Sequence, residues 1–194
     1  MNKKTILVTG GAGYIGSHTI IELFAQTDFD VVSVDNYSNS APTTYERIKK
    51  VCEKNTRHYD VDLCDMNRIE KVFETEKNIV GIIHFAAFKS VNESVANPHK
   101  YYHNNINSLL NVLQCCLKFG VENFIFSSSC SVYGNIQTLP VNEATPLGKN
   151  ESPYAYTKQA GEEIVKDYAR AFPQLKTIAL RYFNPTGAHL SGLI

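Results

Sequence analysis

Thr5-Ile6-Leu7-Val8-Thr9-Gly10-Gly11-Ala12-Gly13-Tyr14-Ile15-Gly16-Ser17-His18 is the stretch on which the reading of this chain turns. A short apolar, β-branched run enters a turn with glycine at 10, 13 and 16. The same turn carries G-x-G-x-x-G from Gly11, and it opens a helical pattern over Tyr14–Gln26. Strand, glycine turn and helix in that order are the context in which such a glycine run has physical meaning. Missing side chains let the backbone approach a pyrophosphate. The first N–H groups of the helix then face the phosphates with the positive end of the helix dipole.

The pattern outside this turn agrees with it. Short Val/Ile/Phe-rich runs at Thr5–Thr9, Val31–Asp35, Arg57–Val61, Val80–Phe85, Asn123–Ser128 and Thr177–Leu180 read as strands, apolar on both faces. Between them Tyr14–Gln26, Thr43–Lys54, Met66–Lys77, Lys100–Phe119 and Pro153–Phe172 read as helices. Asp65 is placed to cap the helix that starts at Met66, Asn97-Pro98 precedes the long one, and Gly120 stops it. The segment Asn135–Ser152, with Pro140, Pro146 and Gly148, reads as a loop over one face. Alternating strands and helices at this spacing predict an α/β fold: a doubly wound parallel sheet of Rossmann type, its ligand crevice at the carboxyl ends of the strands.

Bulk properties narrow the classes of function. The chain has 194 residues, 43% of them apolar, enough for one sizeable core. Lys plus Arg equals Asp plus Glu at 19 each, which gives no support for binding nucleic acid or an anionic membrane through net charge. No window approaches the roughly 20 apolar residues of a membrane span. Cysteines at 52, 64, 115, 116 and 130 form no C-x-x-C pair, and the six histidines have no metal-ligand spacing. The expectation is a cytoplasmic protein with reduced thiols and no metal.

Asp35 ends the second strand about 20 residues after the glycines, where a carboxylate meets the adenine ribose. It would accept from both ribose hydroxyls and repel a 2′-phosphate, so NAD is favoured over NADP. Asp62-Leu63 follows the third strand and is placed to meet the adenine. Phe85-Ala86-Ala87 follows the fourth, with small residues that let backbone approach a cofactor. Tyr154 and Lys158 form Y-x-x-x-K, which puts both on one helix face. A phenol is a poor base at its ordinary pKa near 10, and a neighbouring ammonium favours the phenolate. Ser129, ending Ser127-Ser128-Ser129, is the candidate partner for a substrate hydroxyl.

Thr9–His18, Asp35–Ser40 (DNYSNS), His84–Ser94 (HFAAFKSVNES), Asn123–Gly134 (NFIFSSSCSVYG), Ser152–Lys158 (SPYAYTK) and Leu180–His189 (LRYFNPTGAH) together resemble the UDP-glucose 4-epimerase family of the extended short-chain dehydrogenases/reductases. The resemblance runs along essentially the whole chain. It implies that Gly10, Gly13, Tyr14, Ile15 and Gly16 hold the pyrophosphate. It assigns Asp35, Asn36, Ser38, Asn39 and Ser40 to the adenosine ribose, and Asp62, Leu63, Phe85, Ala86, Ala87, Lys89, Asn104 and Phe183 to other NAD contacts. Ser129, Tyr154 and Lys158 match the catalytic set, with Ser129, Tyr154 and Asn184 reaching the UDP-sugar. The implied chemistry is oxidation and re-reduction at sugar C4.

The related 4,6-dehydratases carry an acid pair directly after the catalytic Ser or Thr. Cys130-Ser131 stands there in this chain, which disfavours elimination. The resemblance also implies an NAD-binding domain over 1–180 and, at 181–194, only the start of a substrate region. Members of the family it resembles commonly dimerise through two helices, which here would be Lys100–Phe119 and Pro153–Phe172. The alternatives are another nucleotide-sugar epimerase of the same family, a catalytically silent NAD-binding module, and, further off, a steroid or flavonoid reductase of the superfamily.

Overall fold

In the computed structural model, which describes residues 3–194, six parallel strands form one sheet in the order β3-β2-β1-β4-β5-β6. They are β1 Thr5–Thr9, β2 Asp30–Asp35, β3 Arg57–Asp60, β4 Ile79–His84, β5 Asn123–Ser129 and β6 Lys176–Tyr182. The helices are α1 Tyr14–Gln26, α2 Thr43–Cys52, α3 Met66–Thr75, α4 Val91–Ala96, α5 Pro98–Phe119 and α6 Pro153–Ala171. From β1 the chain winds outward through β2 and β3, then returns to β4 on the other side of β1. The reversal between β1 and β4 opens the crevice in which such sheets bind ligands.

Alternate residues of the central strands feed two cores. Leu7, Val32, Val34, Ile82 and Phe126 pack with Leu109 and Val112 of α5 and Val165 of α6. Val8 and Val31 pack with Ile20, Ile21 and Phe24 of α1 and Tyr45 and Ile48 of α2. Each fully buried Leu, Ile or Phe contributes roughly 1.5–3 kcal/mol.

The caps form as the sequence predicts. The Asp65 carboxylate accepts from Arg68 N–H, Asn97 accepts from Lys100 N–H, and Gly120 takes the left-handed conformation at φ 70°. Other features differ. β3 is an edge strand whose Arg57, His58 and Asp60 are exposed, so it is not apolar on both faces. Its Arg57 and Tyr59 instead bond Glu76. α2 ends two residues early because Glu53 turns left-handed at φ 56°. α4, unanticipated, is capped by Ser90, which accepts from Glu93 N–H. β6 continues to Tyr182 and forms the other edge.

Candidate active site

The glycine turn is held between two strand ends. Gly10 N–H donates to Val34 C=O at 2.8 Å, and Phe85 N–H donates to Thr9 C=O at 3.1 Å. Gly10 lies at φ 70°, and a Cβ there would stand 2.8 Å from Ala86 N. A Cβ on Gly16 would stand 2.3 Å from the Gly10 carbonyl oxygen. The start of α1 has no side-chain cap. Its first N–H groups are therefore left for an anion, and the turn fits a pyrophosphate.

Asp35 is buried at the end of β2 and already engaged. One oxygen accepts from Tyr37 N–H and the Ser40 hydroxyl, both at 2.9 Å; the other accepts from Ala12 N–H at 3.0 Å. A carboxylate has about four lone-pair sites. One is left for a ribose hydroxyl, and a second becomes available only if Ser40 turns away. That is tighter than the two free sites the sequence reading assumes. Asp62 accepts from Cys64 N–H at 2.8 Å, and the Leu63 carbonyl accepts from Asn111 of α5 at 2.9 Å, so this turn is braced from behind.

The chemical end is built by β5 and α6. Ser129 ends β5 and accepts from Ser131 N–H at 3.2 Å, starting a 3₁₀ turn over Cys130–Tyr133. Ser152 caps α6 by accepting from Ala155 N–H at 3.1 Å. Tyr154 and Lys158 follow on its first two turns. Lys158 is 5% exposed, and its ammonium donates to the Ser127 carbonyl at 2.6 Å. Burial lowers its pKa to about 8. The Tyr154 phenol is raised above its ordinary value: burial dominates, the Ser129 hydroxyl pulls the other way, and Cys130 adds to the rise. The Y-x-x-x-K spacing predicts that Lys158 lowers that pKa. Here the ammonium is turned to the end of β5 and does not offset the phenol's burial.

One cavity of about 530 Å³ collects the sequence-predicted residues. Gly10, Gly13 to Gly16, Asp35, Asn36, Ser38, Asn39, Ser40, Asp62, Leu63, Phe85 to Ala87, Lys89, Asn104, Ser129, Tyr154, Lys158, Phe183 and Asn184 all line it. Its size is that of a small-molecule pocket. Phe183 is 61% exposed at the open side. The Tyr14 hydroxyl donates to the Gly187 carbonyl at 2.7 Å, drawing the last segment across the glycine turn. Sequence reasoning missed Asn105. It is buried on α5, accepts from Phe88 N–H, and donates to Phe88 C=O and the Thr157 hydroxyl. Nothing in its local sequence marks it, because its partners lie 17 and 52 residues away.

Residues 6–193 match the NAD dependent epimerase/dehydratase family. The chain belongs to that family. It is 47% identical over 189 residues to the UDP-glucose 4-epimerase of Pasteurella multocida, covering 97% of this chain and 55% of that protein. Against the UDP-glucose 4-epimerase of Caenorhabditis elegans the identity is 46% over 198 residues, covering 97% and 56%. Among solved structures, the Bifidobacterium longum UDP-glucose 4-epimerase in complex with NAD+ and UDP superposes with a TM-score of 0.95 at 47% identity, over 98% of this chain and 56% of that one. The Brucella ovis UDP-glucose 4-epimerase in complex with NAD gives a TM-score of 0.87 at 38% identity, over 97% and 55%. This epimerase/dehydratase chain thus spans a little over half the length of the relatives it matches. Within the family, Cys130-Ser131 after Ser129 leaves it without a carboxylic acid at that position.

Proposed function

We propose that the protein interconverts UDP-glucose and UDP-galactose by oxidation and re-reduction at sugar C4, with NAD as resident cofactor. The observation that carries this reading is that the glycine turn, Asp35, Ser129, Tyr154 and Lys158 line one cavity. NAD, when bound, supplies the hydride acceptor and then the hydride donor. The chain's own residues supply the rest. The glycine turn seats the diphosphate, and Asp35 holds the adenine ribose and disfavours a 2′-phosphate. Tyr154, once deprotonated to the phenolate, takes the proton of the sugar 4-hydroxyl and returns it after the ketone has presented its other face. Ser129 hydrogen-bonds that oxygen, and Lys158 holds the nicotinamide ribose. Asn184, on the open side, meets the nucleotide sugar.

A coupled UDP-galactose to UDP-glucose assay on the purified chain, beside an NAD titration, tests this. Tyr154→Phe should lower turnover by about 10²–10⁴-fold, the range for a general acid–base group, while NAD affinity stays within about threefold. Unchanged turnover would remove Tyr154 from the mechanism. A second reading is favoured by one feature. Phe183 and Asn184 stand exposed, and the chain covers 55% of its Pasteurella relative. On that reading these residues form an NAD-binding module without turnover of its own, and NAD binding without epimerisation would support it.

The assembly proposed is a homodimer. Tyr102 of α5 and Tyr156 of α6 are exposed and meet edge to face at 5.9 Å, beside exposed Val91 and Val95 of α4. Light scattering at twice the monomer mass is the expected result. A cytoplasmic location is proposed from five free thiols. Among the described residues no helix is long and apolar enough to cross a membrane.

A further inference from the structure

A polar cluster that the proposed reaction does not use lies behind the ends of β5 and β6. Glu162 sits one turn beyond Lys158 on α6 and is 2% exposed. One of its oxygens accepts from the Ser128 hydroxyl at 2.5 Å and from Arg181 Nε at 2.9 Å. The other accepts from Arg181 Nη2 at 2.7 Å. Arg181 Nη1 donates to the Tyr133 hydroxyl at 3.0 Å, and that hydroxyl donates to the Asn142 carbonyl at 3.0 Å. One carboxylate thus joins α6, the end of β5, β6 and the 3₁₀ turn. Each of these elements carries or adjoins candidate site residues: Tyr154 and Lys158 on α6, Ser129 beside Ser128, and Phe183 and Asn184 just past Arg181.

Stability alone gives no reason for this cluster, since well-packed apolar side chains of the same volume are often as stable as a buried ion pair. Such a contact tolerates small sliding and rotation of a helix. A bidentate guanidinium–carboxylate fork admits one geometry. Two rungs join α6 to β5 at adjacent residues, Lys158 to the Ser127 carbonyl and Glu162 to the Ser128 hydroxyl. The second rung therefore sets the rotation of the helix that aims the first.

We propose that Glu162, held by Arg181 and Ser128, is a positioning residue that fixes α6 over β5 and so places Lys158 at the nicotinamide-ribose end of the dinucleotide. The inference rests on the reading of the cavity as an NAD site. Its test compares NAD with ADP, which occupies the adenosine and phosphate seats and lacks the second ribose. Calorimetry on the full chain should show Glu162→Gln losing tenfold or more in NAD affinity, with ADP affinity within about twofold. Lys158→Met should show the same selective loss. The double variant should lose no more than Lys158→Met alone, because both act through one contact.

Equal losses for both nucleotides, no loss of NAD affinity, or additive losses in the double variant would overturn the inference. Each would mark the cluster as a stability element only. Ser128→Ala leaves the ion pair intact and removes only the β5 rung. It should lose about threefold for NAD alone, and it decides the matter if Glu162→Gln does not fold. A wild-type chain that binds neither nucleotide sinks the cofactor reading itself, and this inference with it. A wild type that binds both, with variants that do not separate them, sinks this inference only.

Discussion

Acidification should destabilise this protein through one imidazole. His84 ends β4 and is 2% exposed. Its ring stacks on Phe124 and Phe126, with centroids 6.0 and 6.3 Å away. Its Nδ1 lies 2.9 Å from the Thr9 hydroxyl, which also accepts from Ala86 N–H at 3.4 Å. That hydroxyl still has its proton to give, which suits a neutral ring. Burial, and to a lesser degree the charge of Lys158, lower the His84 pKa to about 3. The unfolded chain returns it to about 6.5. Between those values the unfolded state binds the extra proton, so stability is full above about pH 6.5 and falls as the pH drops toward 3.

At pH 5 the unfolded imidazole is almost fully protonated and the native one almost not at all. The cost relative to pH 8 is then RT ln(1 + 10^1.5), about 2 kcal/mol. Any native value below about 4 gives nearly the same figure, so the prediction does not depend on how far the pKa is lowered. Urea unfolding of wild type and His84→Asn at pH 8 and pH 5 measures it. Wild type should lose about 2 kcal/mol more than the variant over that interval, or roughly 4–8 °C in Tm. Equal losses, within about 0.5 kcal/mol, would mean that His84 is already protonated in the native state or is not buried. Thr9 and His84 end the two strands between which the crevice opens, and because the native ring stays neutral down to pH 5, NAD affinity should not change through His84 over that interval.

Gly16→Ala puts a methyl 2.3 Å from the Gly10 carbonyl oxygen and 2.7 Å from Gly11 Cα, both backbone. Overpacking of this kind costs about 1–3 kcal/mol, and NAD affinity by calorimetry should fall at least tenfold as the turn shifts. Asp35→Ala releases Ala12 N–H, Tyr37 N–H and the Ser40 hydroxyl together. The ratio of NADP to NAD dissociation constants should fall by about tenfold or more, and an unchanged ratio would detach Asp35 from cofactor choice. Thiol labelling at pH 8 should spare Cys115 and Cys116, which are buried with raised pKa values, and should reach Cys130, which lines the cavity. Saturating NAD should slow the Cys130 reaction several-fold; labelling at an unchanged rate would place the cofactor elsewhere.

The features that sequence conveys well here are those whose cause is local. A glycine at 16 is required because a Cβ would strike a carbonyl six residues back, and a carboxylate at 35 is set by the length of one strand–helix–strand unit. Tyr154 and Lys158 are adjacent because a helix makes them so. The S-x-x-E of Ser90–Glu93 is a local signal for the unanticipated α4 that hydrophobic periodicity does not carry, and Glu93 bonds Lys100 and Tyr101 without turning back to its cap. What periodicity cannot convey is where a polar side chain finds its partner once strands of distant sequence lie side by side. Arg57, Tyr59 and Glu76 form an edge cluster from a stretch read as a covered strand. Glu162 and Arg181 meet only because α6 packs against β5 and β6. The direction of Lys158 and the raised pKa of Tyr154 belong to this second class. A motif can therefore name the acid–base pair, but its competence depends on contacts made behind it, by residues that no spacing rule selects.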